Sequence, residues 1–155
     1  MRREEVERLY AQYGPALVAF ACSILNDRAS AEDVLHQVFL KLLERSVLAP
    51  EDPRTYLYRA VRNTALNVQR TRSRRVELAS QPPWFEATSG DSSEAIALEQ
   101  AVKELPSEQR EVIMLRVWGG MTLEEAAVIL EIPANTVASR YRYGLAKLRE
   151  RLGST

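Results

Sequence analysis

Asn135, Thr136, Ser139, Arg140, Arg142 and Tyr143 crowd into the span 135–143, near the start of the last helical stretch of the chain. Amide, hydroxyl, guanidinium and phenol groups in one short run are those that read base edges and grip phosphates in a DNA major groove. A single bidentate arginine–guanine pair is worth roughly 1–3 kcal/mol of discrimination. The plainer alternative is the solvated outer face of a helical hairpin. A second set is purely basic: the span 54–75 holds seven arginines and no acid. Basic helices are often only solvated faces, but such faces usually carry acids at helical spacing, and the span 54–75 itself contains no acid. Other chemistry is scarce. With one histidine, one cysteine and six glycines, the chain has no Gly-rich phosphate loop and no metal-ligand spacing, so no enzyme, cofactor or metal site is expected. Cys22, in an apolar helical stretch, reads as a buried core thiol. His36, with Asp33 and Gln37 as its polar neighbours, reads as a surface helical histidine.

These groups must be positioned by helices, because helix signals dominate the chain and strand signals are nearly absent. A first helical region is expected from about Glu4 to Leu25, broken or bent at Gly14-Pro15. Ser30 and Asp33 resemble a capping box opening a second helix. Its apolar positions Val34, Leu35, Val38, Phe39, Leu42 and Leu43 recur with a period near 3.6. Asp52-Pro53 supplies a cap and first-turn proline for a third helix, with Leu57, Val61, Ala65 and Val68 facing inward and the arginines outward. Gln81-Pro82-Pro83 and Thr88-Ser89-Gly90-Asp91-Ser92-Ser93 mark a linker, in which Trp84-Phe85 is expected to dock on its own domain or on a partner. A helix from about Glu94 to Leu105 follows. Ser107 is expected to cap the next, which carries Val112, Ile113, Leu115 and Val117 inward and stops at Gly119-Gly120. Thr122 and Glu125 form a capping box for a short helix ending at Leu130, and the final helix runs from Ala134 to about Leu152.

The last two helices, joined by a short turn, suggest a helix-turn-helix. Ala127 is expected at the close crossing and Val137 on the inner face of the second helix. Leu123, Ile129, Leu130, Tyr141, Leu145 and Leu148 would complete the core. The fold class is therefore all-α: two small helical domains, 1–75 and 94–155, joined by a flexible linker, 76–93. The formal charge sums to zero over 155 residues, but the sum hides a pattern. Between the basic span 54–75 and the C-terminal stretch from Ala134, with five basic residues against Glu150 alone, lies the acidic span 76–106, with one lysine and six acids. Two basic segments parted by an acidic one fit a chain with two nucleic-acid faces. With 46% apolar and 27% charged residues, the composition is that of a globular cytoplasmic protein, with no membrane span and no secretory signal.

Leu105-Pro106-Ser107-Glu108-Gln109-Arg110-Glu111-Val112, Met121-Thr122-Leu123-Glu124-Glu125-Ala126-Ala127 and Ile132-Pro133-Ala134-Asn135-Thr136-Val137-Ala138-Ser139-Arg140 together resemble region 4 of sigma factors of the extracytoplasmic-function group. The resemblance implies that this domain binds the minus-thirty-five promoter element through Asn135, Thr136, Ser139, Arg140, Arg142, Tyr143 and Lys147. Where that family often has glycine in the turn, this chain has Glu131; Ala138 stands in place of a frequent lysine. Ala31-Glu32-Asp33-Val34-Leu35-His36-Gln37-Val38-Phe39-Leu40 resembles region 2.2, whose helix docks on the polymerase beta-prime coiled coil. Asp33, His36 and Gln37 would be the outward contacts, with Phe39 in the core. The run from Pro53 to Asn67 resembles regions 2.3 and 2.4, which bind and melt the minus-ten element. Arg54, Tyr56, Tyr58, Arg59, Arg62, Asn63, Asn67 and Arg70 are the residues this implies, the tyrosines as platforms for unstacked bases, and the Ser46–Asp52 loop as holder of a flipped base.

By this resemblance the chain is a transcription initiation factor. Its expected partners are core RNA polymerase, through the beta-prime and beta subunits, promoter DNA and an anti-sigma factor; the free protein is expected to be a monomer. Two other readings stay open at this stage: a stand-alone helix-turn-helix regulator, and a sigma mimic that sequesters an anti-sigma factor.

Overall fold

The computed structural model describes residues 2–44, 51–72, 83–85 and 92–153. All its regular elements are helical: α1 (Arg3–Leu25), α2 (Arg28–Glu44), α3 (Pro53–Thr71), α4 (Ser92–Lys103), α5 (Ser107–Ile113), α6 (Leu123–Leu130) and α7 (Ala134–Gly153), with a π-helical turn, Met114–Trp118, continuing α5. The chain divides into two compact units, Met1–Pro82 and Pro83–Thr155. The Ser46–Asp52 loop, as far as Pro50, and the linker residues 76–82 and 86–91 lie outside the described residues. Among the described residues no helix is long and apolar enough to cross a membrane.

In the first unit, α1, α2 and α3 pack against one another. Every residue from Leu17 to Leu25 is buried, Cys22 among them, so α1 forms the centre of the bundle. The expected break at Gly14-Pro15 does not occur; α1 runs through it. Proline forfeits one helical hydrogen bond, and burial of the whole following segment outweighs that loss. The α1–α2 turn passes through Asn26 in the left-handed region, φ 53° and ψ 34°, a conformation asparagine tolerates better than most residues. Asp27, rather than Ser30, serves the start of α2. Its carboxylate accepts the Ala29 N–H and the Ser30 hydroxyl, and the helix begins at Arg28. Val34, Leu35, Val38, Phe39 and Leu42 face inward as expected, but Leu43 is exposed.

Asp52 caps α3 as expected, accepting the Thr55 N–H at 3.2 Å, and Pro53 takes the first turn. The Thr55 hydroxyl also donates to it, and this bond is the largest influence holding the Asp52 carboxyl below the usual carboxylate range. At its far end α3 is tied to α1. Gln69 Nε2 donates to the Ile24 carbonyl at 3.0 Å, and Arg72 Nη1 to the Leu25 carbonyl at 3.1 Å while its Nη2 meets Asp27 at 3.0 Å. These side chains satisfy carbonyls that the end of α1 leaves without helical partners. One arginine of the basic run is thus structural.

The second unit begins earlier than the sequence suggests. Trp84 is only 3% exposed. Its N–H and that of Phe85 both donate to Glu99 Oε1 on α4, at 2.9 and 3.4 Å. Phe85 stacks on Trp118, ring centroids 4.6 Å apart. The pair therefore docks on its own chain, as part of the helix-turn-helix unit. Further on, α5 starts without a side-chain cap from Ser107. Its π turn adds a residue to one turn, so the register slips and Val117, expected inward, is 51% exposed. Arg116, in that turn, donates to the Met121 carbonyl at 2.6 Å and lies 5.0 Å over the Tyr141 ring, linking the turn to the entry of α6 and to α7.

The capping box of α6 is present in both directions: Thr122 Oγ1 accepts the Glu125 N–H at 3.1 Å, and Glu125 Oε1 accepts the Thr122 N–H at 2.8 Å. Ala126, not Ala127, is the fully buried small residue of this helix, while Val137 is buried on α7 as expected. Ile129, Leu130 and Leu148 are buried, whereas Leu123, Tyr141 and Leu145 are half-buried. The α6–α7 turn passes through Glu131 at φ 58° and ψ 43°. A Cβ in that region costs on the order of 1–2 kcal/mol, which glycine escapes. Glu131→Gly is expected to raise the stability of the second unit by about 1 kcal/mol, read as a higher urea midpoint at unchanged slope.

Candidate nucleic-acid interface

The physical basis of the first face is the amphipathicity of α3. Leu57, Val61 and Ala65 are fully buried, at helical spacing. The opposite side therefore carries Tyr56, Arg59, Asn63, Asn67 and Arg70, all exposed and separated by three or four residues. On a helix rising 1.5 Å per residue this stripe extends roughly 21 Å. Arg54 and Arg62 flank it, half-buried. The stripe offers guanidinium groups for phosphates, amides for base edges and one accessible ring, since Tyr56 is 40% exposed.

Tyr58 corrects the sequence-based expectation. It is 2% exposed and packs its ring 5.3 Å from that of Phe20. Burial pushes its phenol up to about 12. It cannot serve as a base platform in this fold, because it follows Leu57 on the inward side of α3. Val68, expected inward, is half-buried.

The second face lies on α7. Asn135, Arg142, Tyr143 and Lys147 are exposed, Tyr143 at 63%. Thr136, Ser139 and Arg140 are half-buried beside them. The helix N-terminus, with its positive dipole end, adds to the attraction for phosphate on this side. Two of these groups already have protein neighbours. Arg140 lies 3.8 Å from Glu108, and Arg142 Nη2 donates to Ser139 Oγ at 3.4 Å. Both contacts are long and solvent-facing, so they hold the arginines in place without consuming much of their binding capacity. The inner side of α7 is set by Gly144, where a Cβ would come within 3.0 Å of Ile113 Cγ1 on α5.

The third group lies on α2. Asp33, His36 and Gln37 are exposed there, and Phe39 is buried with the Tyr10 ring edge-on at 5.1 Å. Tyr10 also stacks on His36, with centroids 6.4 Å apart. Sequence reasoning missed two residues on this side. Leu40 is 54% exposed and Leu43 is 46% exposed, and with His36 they extend an outward stripe along α2. The three-and-four spacing of His36, Leu40 and Leu43 was the available signal. Among the described residues no group of His, Cys, Asp or Glu side chains is placed to hold a metal ion.

Comparison with known proteins gives matches in both units. The family described as sigma-70 region 2 matches residues 9–75, and sigma-70 region 4 matches residues 95–148. The RNA polymerase sigma-E factor of Streptomyces coelicolor is 32% identical over 143 residues, covering 88% of this chain and 80% of that protein. The ECF RNA polymerase sigma factor SigL of Mycobacterium tuberculosis is 26% identical over 150 residues, 91% of this chain and 85% of that one. Among solved structures, the sigma factor RpoE in complex with the anti-sigma factor NepR from Bartonella quintana superposes with a TM-score of 0.77 at 25% identity, covering 97% of this chain and 98% of that chain.

Proposed function

This chain belongs to the sigma-70 family, in its extracytoplasmic-function group, and from that premise we propose that its three polar faces divide the work of promoter-directed initiation. The protein is a sigma factor that directs RNA polymerase to promoters. The α7 face, with Asn135, Thr136, Ser139, Arg140, Arg142, Tyr143 and Lys147, binds the upstream minus-thirty-five element as duplex in the major groove. The α3 stripe, with Arg54, Tyr56, Arg59, Arg62, Asn63, Asn67 and Arg70, binds the minus-ten element, its arginines neutralising phosphates and Tyr56 stacking an unpaired base. The energy of capturing single-stranded bases drives melting, with no nucleotide hydrolysis by this chain.

The observation that carries this reading is the α3 stripe itself: an acid-free row of arginine, asparagine and one open ring opposite a fully apolar face. An ordinary duplex-binding regulator has its helix-turn-helix but no use for a second basic face with an accessible aromatic ring. The α2 group Asp33, His36 and Gln37, widened by Leu40 and Leu43, docks on the polymerase beta-prime subunit, and the beta subunit receives the second unit. The apolar pair on this face suits a protein partner, since exposed leucines beside polar contacts mark interaction surfaces. An anti-sigma factor is a further partner, supported by the complex in which the structurally similar RpoE was solved. The site of action is the cytoplasm, where polymerase and promoters are.

The deciding test is gel filtration with bacterial core RNA polymerase from the source organism. Wild type is expected to co-elute, and Asp33→Arg to bind at least about tenfold more weakly, the equivalent of about 1.4 kcal/mol. Equal binding of both proteins would remove α2 as the docking face. No complex at all would favour a stand-alone regulator or a decoy for an anti-sigma factor.

A further inference from the structure

The consecutive residues 139–142 on the reading face of α7 each touch a protein group, and two of those groups come from the α5 side of the unit. Arg142 Nη2 donates to Ser139 Oγ within α7. The Arg140 guanidinium faces Glu108 Oε2, in the first turn of α5, at 3.8 Å. The Tyr141 ring lies under the Arg116 guanidinium, 5.0 Å away, and Arg116 Nη1 is itself tied to the Met121 carbonyl at 2.6 Å. The helix crossing dictates these meetings. Gly144 brings the α7 backbone onto α5, where a Cβ would stand 3.0 Å from Ile113 Cγ1 and 3.5 Å from Gln109 Cβ. Arg140 lies one turn before Gly144 along the same side of α7, and Glu108 directly precedes Gln109. The crossing therefore delivers a carboxylate to the side of an arginine that is placed to read DNA.

We propose that Glu108 is a positioning residue for promoter reading: from α5 it steers the Arg140 guanidinium toward base edges and away from phosphates, and so sharpens the preference for one base pair of the upstream element. The inference rests on the promoter reading above. An arginine on a DNA-facing helix has two kinds of acceptor in reach. Phosphates are the more numerous and fully charged, and contacts with them bring affinity without sequence information. A guanine edge asks more, because bidentate pairing needs the guanidinium fork held in one plane. A carboxylate beside the arginine acts on both choices. It repels the phosphate backbone, and it holds the fork in one orientation before DNA arrives, which removes part of the ordering cost of the base contact. In the free protein the pair is worth little, with the Glu108 side chain 71% exposed. Against a DNA surface that displaces water, the same attraction strengthens. Arg116 steadies the next residue, Tyr141, so the stretch of α7 that carries Arg140 is held from α5 on both counts.

The test is transcription by holoenzyme reconstituted with the full chain, on a promoter selected from a random library and then varied one base pair at a time across its upstream element. Arg140→Ala identifies the pair concerned, where it is expected to flatten the preference by about fivefold or more. Glu108→Gln keeps the shape of the side chain and removes its charge. It is expected to lower the preference at that same pair about threefold, with the other pairs unchanged and the urea midpoint at the wild-type value. Glu94→Gln, the same loss of charge on α4, keeps the wild-type profile. A Glu108→Gln profile identical to wild type, or a uniform fall on every promoter, overturns the positioning role. The same altered profile in Glu94→Gln assigns the effect to net charge and overturns it equally. An Arg140→Ala protein that loses preference at no pair overturns instead the assignment of Arg140 to base reading, on which the inference rests.

Discussion

Tyr58→Ala is expected to destabilise the first unit by about 3–5 kcal/mol, while Tyr56→Ala, two residues away, leaves its stability within about 0.5 kcal/mol. The two tyrosines are chemically identical and differ only in the side of α3 they occupy. Tyr58 is closed in against Phe20, so its removal leaves a cavity that the surrounding helices fill only partly. Tyr56 is open to solvent, so its removal strips no core. The functional consequences invert. Loss of the Tyr56 ring is expected to weaken the melted promoter complex by roughly 1–3 kcal/mol, the worth of one base–aromatic stack. Urea denaturation and a fluorescent-base assay of promoter melting give the two readouts separately.

Titration supplies an independent check on the same assignment. Of the six tyrosines, Tyr58 is held near 12 by burial, above the ordinary value of 10.0. A raised folded value means its contribution to stability is complete below pH 10 and is lost as pH rises from there through about 12. Absorbance titration of the phenolates is expected to show an ionisation at about 12 that is lost in Tyr58→Phe. A titration unchanged by Tyr58→Phe near 12, or a Tyr56→Ala that melts like Tyr58→Ala, would reverse the two roles.

Gly144→Val is expected to cost the second unit about 1–3 kcal/mol and to abolish upstream-element binding with it. At Gly144 the backbone of α7 comes so close to α5 that even a methyl group would press on Ile113, at 3.0 Å from Cγ1 and 3.2 Å from Cδ1. Gln109 Cβ stands 3.5 Å away on the same helix, so Ile113 has little freedom to retreat. A branched side chain forces the helices apart and rotates the polar face that α7 presents. Gly144→Ala is the informative companion. Its helix-propensity gain of about 1 kcal/mol opposes a smaller clash, and a stability near that of wild type is expected. Thermal melting gives the first quantity, and a duplex carrying the upstream element alone gives the second. A Gly144→Val that folds and binds normally would show that the crossing is looser than its geometry.

Much of the fold was legible from local chemistry. The Thr122–Glu125 capping box, the Asp52-Pro53 helix start and the inward series Leu57, Val61, Ala65 and Val137 each depend on residues within one or two turns, so pattern alone identified them. The exposed row Tyr56, Arg59, Asn63, Asn67 and Arg70 follows from the same periodicity. Where the sequence misled, the deciding interaction came from another part of the chain. Pro15 does not break α1, and the segment beyond it is buried against α2 and α3. Val117 turns outward because a π turn, anchored by Arg116 on Met121, shifts the register of α5.

By itself, then, the sequence determined that the chain is helical, that it carries two basic faces and which family's motifs it bears, because capping, periodicity and charge are properties of neighbouring residues. Only the tertiary structure decided that Tyr58 is core and Tyr56 surface, that Gly144 is a crossing point, and that Trp84 and Phe85 belong to the second unit. Each of those depends on a partner distant in sequence or on another helix, Phe20, Ile113 or Glu99 with Trp118, and burial against a distant partner leaves no periodic trace in the residues themselves.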